Sequence, residues 1–253
     1  MNGAHGGEPA GTSHRYKERH GCPKAVDFLF RERVLREASQ QDLALTAPTD
    51  PACASVIAAL EDDPFYRSIC APFEVDTQRR RAVLERYFAY SIQEGREIGR
   101  SVHLKEVTRG VAVWLLPQPA ELQARAAQKK RAFLEVALDR KGCANYYGIV
   151  EFMSARAASV VSREAWYLSI VAVDPAVQGQ GLGRQLLKPT LAEADSVGAS
   201  CYLETFIARN LAFYERLGFA ARTRFREPTT GSEYAVMVRH PALTKAKRIS
   251  WRR

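Results

Sequence analysis

The chain has 253 residues, 46% of them hydrophobic, with a formal net charge of +9 and a pI near 9.5. No apolar run approaches the roughly 20 residues needed to cross a bilayer, and residues 1–22, rich in Gly, His and Arg, lack the apolar centre of a secretory signal. Five scattered cysteines (Cys22, Cys53, Cys70, Cys143 and Cys201) without Cys-x-x-Cys spacing point to a reduced, cytoplasmic chain, and five unclustered histidines lead us to expect no metal.

The basic excess falls in clusters: Arg79 to Arg81, Lys129 to Arg131, and Lys245, Lys247, Arg248, Arg252 and Arg253 at the end. The first two lie on helical patterns without interleaved aromatics, a poor match to a nucleic-acid surface. Residues 1–22 read as a disordered tail, 23–241 as a single domain and 242–253 as a basic tail.

In chain order, a first strand is expected within residues 32–36 or 43–46. Asp50-Pro51 reads as a helix start, with the end near Asp62. Residues 77–98 place Val83, Leu84, Tyr87, Phe88 and Ile92 at helical spacing. Strands follow near 101–107 and 110–116, joined by the turn-like Thr108-Arg109-Gly110. Residues 119–138 are helical. In 141–165, Asn145-Tyr146-Tyr147-Gly148 suggests a loop and 152–161 a helix. Then come strand 166–173, helix 182–197, strand 200–206, helix 209–217 and strands near 219–226 and 233–239. Mixed strands and helices without simple alternation predict an α+β (mixed α/β) sheet flanked by helices.

Two junctions in the second half carry chemistry. The first is Gln178-Gly179-Gln180-Gly181-Leu182-Gly183-Arg184, between an apolar strand and a helix. Glycines there let backbone approach a ligand closely, and the free amides opening a helix favour phosphate. A Walker A loop is absent, and the dinucleotide Gly-x-Gly-x-x-Gly pattern fails because Leu186 or Arg184 stands where its last glycine belongs. The second junction is Asn210-Leu211-Ala212-Phe213-Tyr214-Glu215-Arg216-Leu217-Gly218-Phe219. A phenol held beside a thioester sulfur can protonate the departing thiolate, so Tyr214 is the candidate general acid. Glu204, at the end of the preceding strand, is the candidate general base. The alternative for it is a carboxylate tied to nearby backbone amides. Tyr66 and Trp114 are candidates for lining an acceptor pocket, against ordinary core packing.

Together the junctions resemble the acetyl-CoA site of the GCN5-related N-acetyltransferases (GNAT), the first matching their Gln/Arg-x-x-Gly-x-Gly/Ala loop through Gln178, Gly181 and Gly183. With Trp166-Tyr167-Leu168 and Leu203-Glu204-Thr205, the likeness is to the puromycin N-acetyltransferase group, over about a third of the chain. Weaker echoes lie at Asp63-Pro64-Phe65-Tyr66 and around Trp114. The resemblance implies a mostly antiparallel sheet with one splayed parallel strand pair, and acetyl-CoA as donor with no metal. It implies cofactor contacts from Val171, Ala172 and Val173, from Gln178, Gly179, Gln180, Gly181, Leu182, Gly183 and Arg184, and from Asn210, Phe213 and Tyr214. The implied partner is a small-molecule primary amine, such as an antibiotic or toxin, acted on by a monomer or homodimer. A protein-directed acetyltransferase and a non-catalytic acetyl-CoA sensor remain alternatives.

Overall fold

The computed structural model describes residues 50–242, so the first strand expected within 32–46 and both tails lie outside the described residues. The described residues begin with α1 (Cys53–Leu60) and α2 (Pro64–Ile69), then α3 (Thr77–Ile98). β1 (Gly99–His103) and β2 (Gly110–Leu115) form a hairpin through a 3-10 turn at Val107–Arg109. Helices α4 (Ala120–Ala137) and α5 (Arg140–Ala157) follow. The second half runs β3 (Trp166–Val173), α6 (Leu182–Val197), β4 (Cys201–Thr205), α7 (Leu211–Glu215), β5 (Ala220–Arg226) and β6 (Glu233–Arg239).

The six strands make one sheet in the order β1-β2-β3-β4-β6-β5. Every neighbouring pair is antiparallel except β3 and β4. That parallel pair is joined only where Trp166 meets Cys201 and Tyr167 meets Tyr202. Beyond those residues the two strands part, and each keeps a backbone edge without a strand partner among the described residues. The architecture is the expected mixed α/β one, with a mostly antiparallel sheet and one parallel pair flanked by helices.

The sheet divides two apolar cores. On one side Val111, Val113, Ile170 and Ala172 pack with α1, α3 and the buried ends of α4 and α5. On the other, Ala112, Trp114, Leu168 and Leu203 pack with Leu186, Leu187 and Leu191 of α6. Residues two apart in a strand normally share a face. Leu168 and Ile170 do not, because the β2–β3 register slips between Val113 and Trp114, leaving Ser169 as an extra residue in β3. This bulge shifts the alternation of β3, so Trp166 and Leu168 face one core while Ile170 and Ala172 face the other.

Helix α3 forms where its apolar spacing predicts, started by Asp76, whose side chain accepts from Arg79 N at 2.9 Å. Helix α5 corrects the loop expected at Asn145-Tyr146-Tyr147-Gly148. Asp139 caps its start by accepting from Gly142 N, Tyr146 is buried, and the Asn145 amide donates to Ser68 O at 2.7 Å. Those tertiary contacts outweigh the turn preference of Asn and Gly. At the other end of the sheet, Arg239 ties β6 to α6 through two 2.7 Å bonds to the Asp195 carboxylate and one to Leu217 O.

Candidate active site

A cavity of about 1220 Å³ opens where β3 and β4 part. Its floor is the stretch of β3 from Leu168 to Val173 and of β4 from Leu203 to Thr205, which do not pair with each other. Backbone groups on such edges need partners, so an extended ligand with amides of its own fits between them.

One end of the cavity is the glycine loop. Gly179 and Gly181 adopt φ of +82° and +79°, and a Cβ on either would meet nothing within 4 Å. The left-handed backbone demands glycine here, and the space beside it is open. Gly183 differs: a Cβ there would stand 3.0 Å from the Phe213 ring, so this glycine lets α7 pack against the first turn of α6. Gln178 donates its side-chain amide to Val173 O at 3.0 Å, closing the loop onto the strand. Arg184 on the first turn of α6, with Arg209 and Arg216 flanking α7, adds positive charge to the cavity wall. These features form a cradle suited to a pyrophosphate group. Val171, Ala172, Val173, Gly179, Gly181, Leu182, Asn210 and Phe213 line the same cavity, whereas Gln180 does not.

Tyr214 lies in the cavity wall, 7% exposed, with its ring 5.1 Å from that of Phe213. Burial pushes its phenol well above the ordinary value, and the nearby Asp63 carboxyl adds to the rise. Tyr214 therefore holds its proton throughout the neutral range. Gly218, at φ +89°, and the Phe219 N bond to Tyr214 O at 3.1 Å end the helix just behind it.

Glu204 projects from β4 into the cavity. Its Oε1 is buried and has no hydrogen-bond partner, and the Tyr234 hydroxyl is likewise buried and unpartnered. Burial pushes the Glu204 carboxyl up to about 7, with the Tyr167 phenol acting weakly the other way. The alternative of a carboxylate satisfied by backbone amides finds no such bond among the described residues. A buried group left unpaired at a site is a candidate for proton transfer.

The far end is aromatic. Tyr66 packs edge-on to Tyr87 and Phe88 at 5.7 and 4.8 Å, and Tyr87 in turn to Tyr146 at 6.4 Å. Tyr167 stacks on Tyr202 at 4.7 Å where β3 and β4 meet. All but Phe88 line the cavity. Trp114, expected beside Tyr66, is placed elsewhere: it is fully buried on the α6 face of β2, and Leu115 reaches the cavity instead. Strand alternation decides this, since Trp114 shares the face of Ala112.

Asp63 is the residue the sequence reading left without a role. It caps α2 by accepting from Phe65 N at 2.9 Å and lines the cavity. Burial pushes its carboxyl up to about 6. The signal was present in Asp63-Pro64, a helix start immediately before the candidate pocket residue Tyr66. Among the described residues, no three His, Cys, Asp or Glu side chains gather as a metal site, and no helix is long and apolar enough to cross a membrane.

The sequence model of the acetyltransferase (GNAT) domain matches residues 120–221, which contain the glycine loop, Glu204 and Tyr214. The fold is similar to that of a histone acetyltransferase HPA2 and related acetyltransferase from Corynebacterium glutamicum, at TM-score 0.51 and 22% identity over 79% of this chain and 94% of that one. It is also similar to an arylalkylamine N-acetyltransferase 2 from Aedes aegypti, at 0.53 and 11% over 77% and 94%. A third likeness is to an agmatine N-acetyltransferase, at 0.51 and 15% over 77% and 96%. At these identities the structural likeness speaks to the fold. The domain match covers residues 120–221, the part of the chain that holds the glycine loop and the parted strands, and the fold is that of solved acetyltransferases.

Proposed function

We propose that this chain transfers the acetyl group of acetyl-CoA to a primary amine of a small molecule. The observation that carries the reading is the one cavity that joins a phosphate-type cradle, two strand edges, a buried phenol and a carboxyl with one buried, unpartnered oxygen. Acetyl-CoA, when bound, supplies an activated thioester whose carbonyl carbon accepts the amine.

The chain's own groups divide the work. The glycine loop and Arg184 hold the diphosphate, and Asn210 and Phe213 border the pantetheine path. The free edge near Val171 and Val173 pairs with the pantetheine amides and fixes the direction of the thioester. Glu204, through Oε1, takes a proton from the acceptor ammonium, either directly or through a water. Tyr214 gives its hydroxyl proton to the departing sulfur. A phenol that never ionises near neutral pH is always ready for that donation, and a carboxyl near 7 is poised to accept.

The likeness of residues 166–219 to the puromycin N-acetyltransferase group supports an amine antibiotic or toxin as acceptor, with resistance or self-protection as the role. The test is thiol release from acetyl-CoA by the purified chain across aminonucleosides, other amine antibiotics, polyamines, amino acids and lysine peptides. Release with one small-molecule class supports the reading. Release with peptides alone moves the activity to proteins, and CoA binding without release from any amine favours a sensor.

A further inference from the structure

Among the described residues, four buried side-chain polar atoms have no hydrogen-bond partner in the protein: Arg80 Nε, Trp114 Nε1, Glu204 Oε1 and the Tyr234 hydroxyl. The last two share one face of one strand pair. β4 and β6 run antiparallel with Glu204 opposite Val236, and no register slip interrupts them. Tyr234 stands two residues from Val236, so its side chain leaves the sheet on the side of Glu204. Packing agrees: Tyr234 and Val236 are covered together by Ile149 and Met153 of α5. Diagonal neighbours of this kind lie about 7–8 Å apart, within reach of a glutamate and a tyrosine.

The Tyr234 ring is held in place. It is 2% exposed, and the rings of Phe206, Phe225 and Phe152 surround it at 5.4, 5.9 and 6.4 Å. It is not a lining residue of the cavity, so it stands behind Glu204 rather than beside a ligand. The other charged groups that face it are already engaged. Arg156 of α5 donates to Phe152 O at 3.0 Å, and Glu227 accepts the amides of Thr229 and Thr230. The phenols facing Glu204 besides Tyr234 are Tyr167 of β3 and Tyr202 of β4. A donor and an acceptor buried on one face, each unpartnered, are a costly arrangement unless they serve each other.

We propose that Tyr234 is a positioning residue for the base: across one bridging water, its hydroxyl supplies the hydrogen bond that Glu204 Oε1 lacks. The role of Glu204 as base rests on the acetyl-transfer reading, whereas the coupling of the two groups does not. Burial, with the Glu204 carboxylate adding to it, pushes the Tyr234 phenol up to about 12, so it remains a donor at neutral pH. A donor to the charged form of a carboxyl favours that form, so the bond keeps Glu204 ionised at lower pH than burial alone would allow. It also fixes the plane of the carboxylate. Each carboxylate oxygen accepts more than one bond, so Oε1 stays able to receive the proton of the acceptor.

The test is Tyr234→Phe, which keeps the ring and removes the hydroxyl. The Glu204 carboxyl is titrated by NMR on protein labelled with carbon-13 at the glutamate carboxyl, its signal identified by its loss in Glu204→Gln. We expect the titration midpoint to rise by about one pH unit in Tyr234→Phe, the scale of one such bond. With any amine that the wild type acetylates, the rising limb of kcat/KM should move with it. The loss is then about ten-fold at pH 6 and slight at pH 9. Urea unfolding reads the same bond without turnover, and Tyr234→Phe should lose more stability at pH 9 than at pH 5. An unmoved midpoint overturns the proposal, as does an equal loss of stability at both pH values. A raised midpoint without turnover of any amine, or without a matching limb in kcat/KM, supports the pairing of Tyr234 with Glu204 and contradicts the role of Glu204 as base.

Discussion

At the glycine-loop end of the cavity the protein works with backbone: two left-handed glycines, the opening amides of α6 and two strand edges that parted after two paired residues. At the aromatic end it works with side chains gathered from distant places, Tyr66 from α2, Tyr87 from α3, Tyr146 from α5 and Tyr167 from β3. The first kind of site depends on conformations that few residues can adopt, so single changes destroy it. The second depends on shape and charge, so single changes re-aim it. The contrast explains how one scaffold can keep a donor fixed while its acceptor changes.

The sharpest way to break the comparison is at the loop. Gly181→Val puts a branched side chain at φ +79°, a region that costs such residues about 1–3 kcal/mol. Because the space beside it is open, the added methyls point where the ligand must lie. Affinity for CoA by calorimetry should fall beyond detection while the fold persists. A normal Kd would detach the loop from cofactor binding.

Next in size is Glu204→Gln, which should lower kcat/KM by about ten- to a thousand-fold at pH 8 if the carboxylate is the base. The sign follows from a carboxyl held at about 7. Below that pH it is protonated and cannot accept, so wild-type kcat/KM should climb as pH rises through 7, and the limb should vanish in the variant. The stability effect has the opposite direction. The folded state binds this proton more tightly than the unfolded chain, so the contribution is full below the ordinary carboxylate range and is lost as pH rises through 7. Urea unfolding at pH 5 and 8 measures that loss, which Glu204→Gln should shrink to the part left by Asp63, whose carboxyl is held at about 6.

Smallest for activity, and confined to stability, is Asp195→Asn. The Asp195–Arg239 pair, both side chains largely buried, locks α6 to β6 behind the cofactor half. Its loss should cost about 1–3 kcal/mol in urea unfolding with kcat little changed. The Arg239 guanidinium holds the Asp195 carboxyl below its ordinary value. That stabilisation is therefore complete above the unfolded carboxylate range and fades as pH falls through the lower, folded one. A large drop in kcat with intact stability would mean that this end of the sheet reports directly to the site.

The two regions also differ in how much of them could be read before any coordinates. The loop and the Tyr214 segment announce themselves because each is contiguous, and the fold around them follows from spacing: α3, β3 and α6 lie where periodicity puts them. The acceptor wall is assembled by tertiary packing, which no local pattern encodes. Asn145-Tyr146-Tyr147-Gly148 has turn chemistry, yet Asp139 and the burial of Tyr146 make it the middle of α5. Trp114 carries the right residue type for a pocket but sits on the face that strand alternation turns toward α6. Asp63 is visible as a helix cap, and only the fold shows that it also lines the cavity.

The most direct test of acetyl transfer by this site separates chemistry from binding at Tyr214. Tyr214→Phe keeps the ring that packs on Phe213 and Phe219 and removes only the hydroxyl group. With any amine that the wild type acetylates, kcat should fall by about a hundred- to ten-thousand-fold while the Kd for acetyl-CoA stays within a factor of about two. Unchanged kcat would contradict the assignment of Tyr214 as the proton donor.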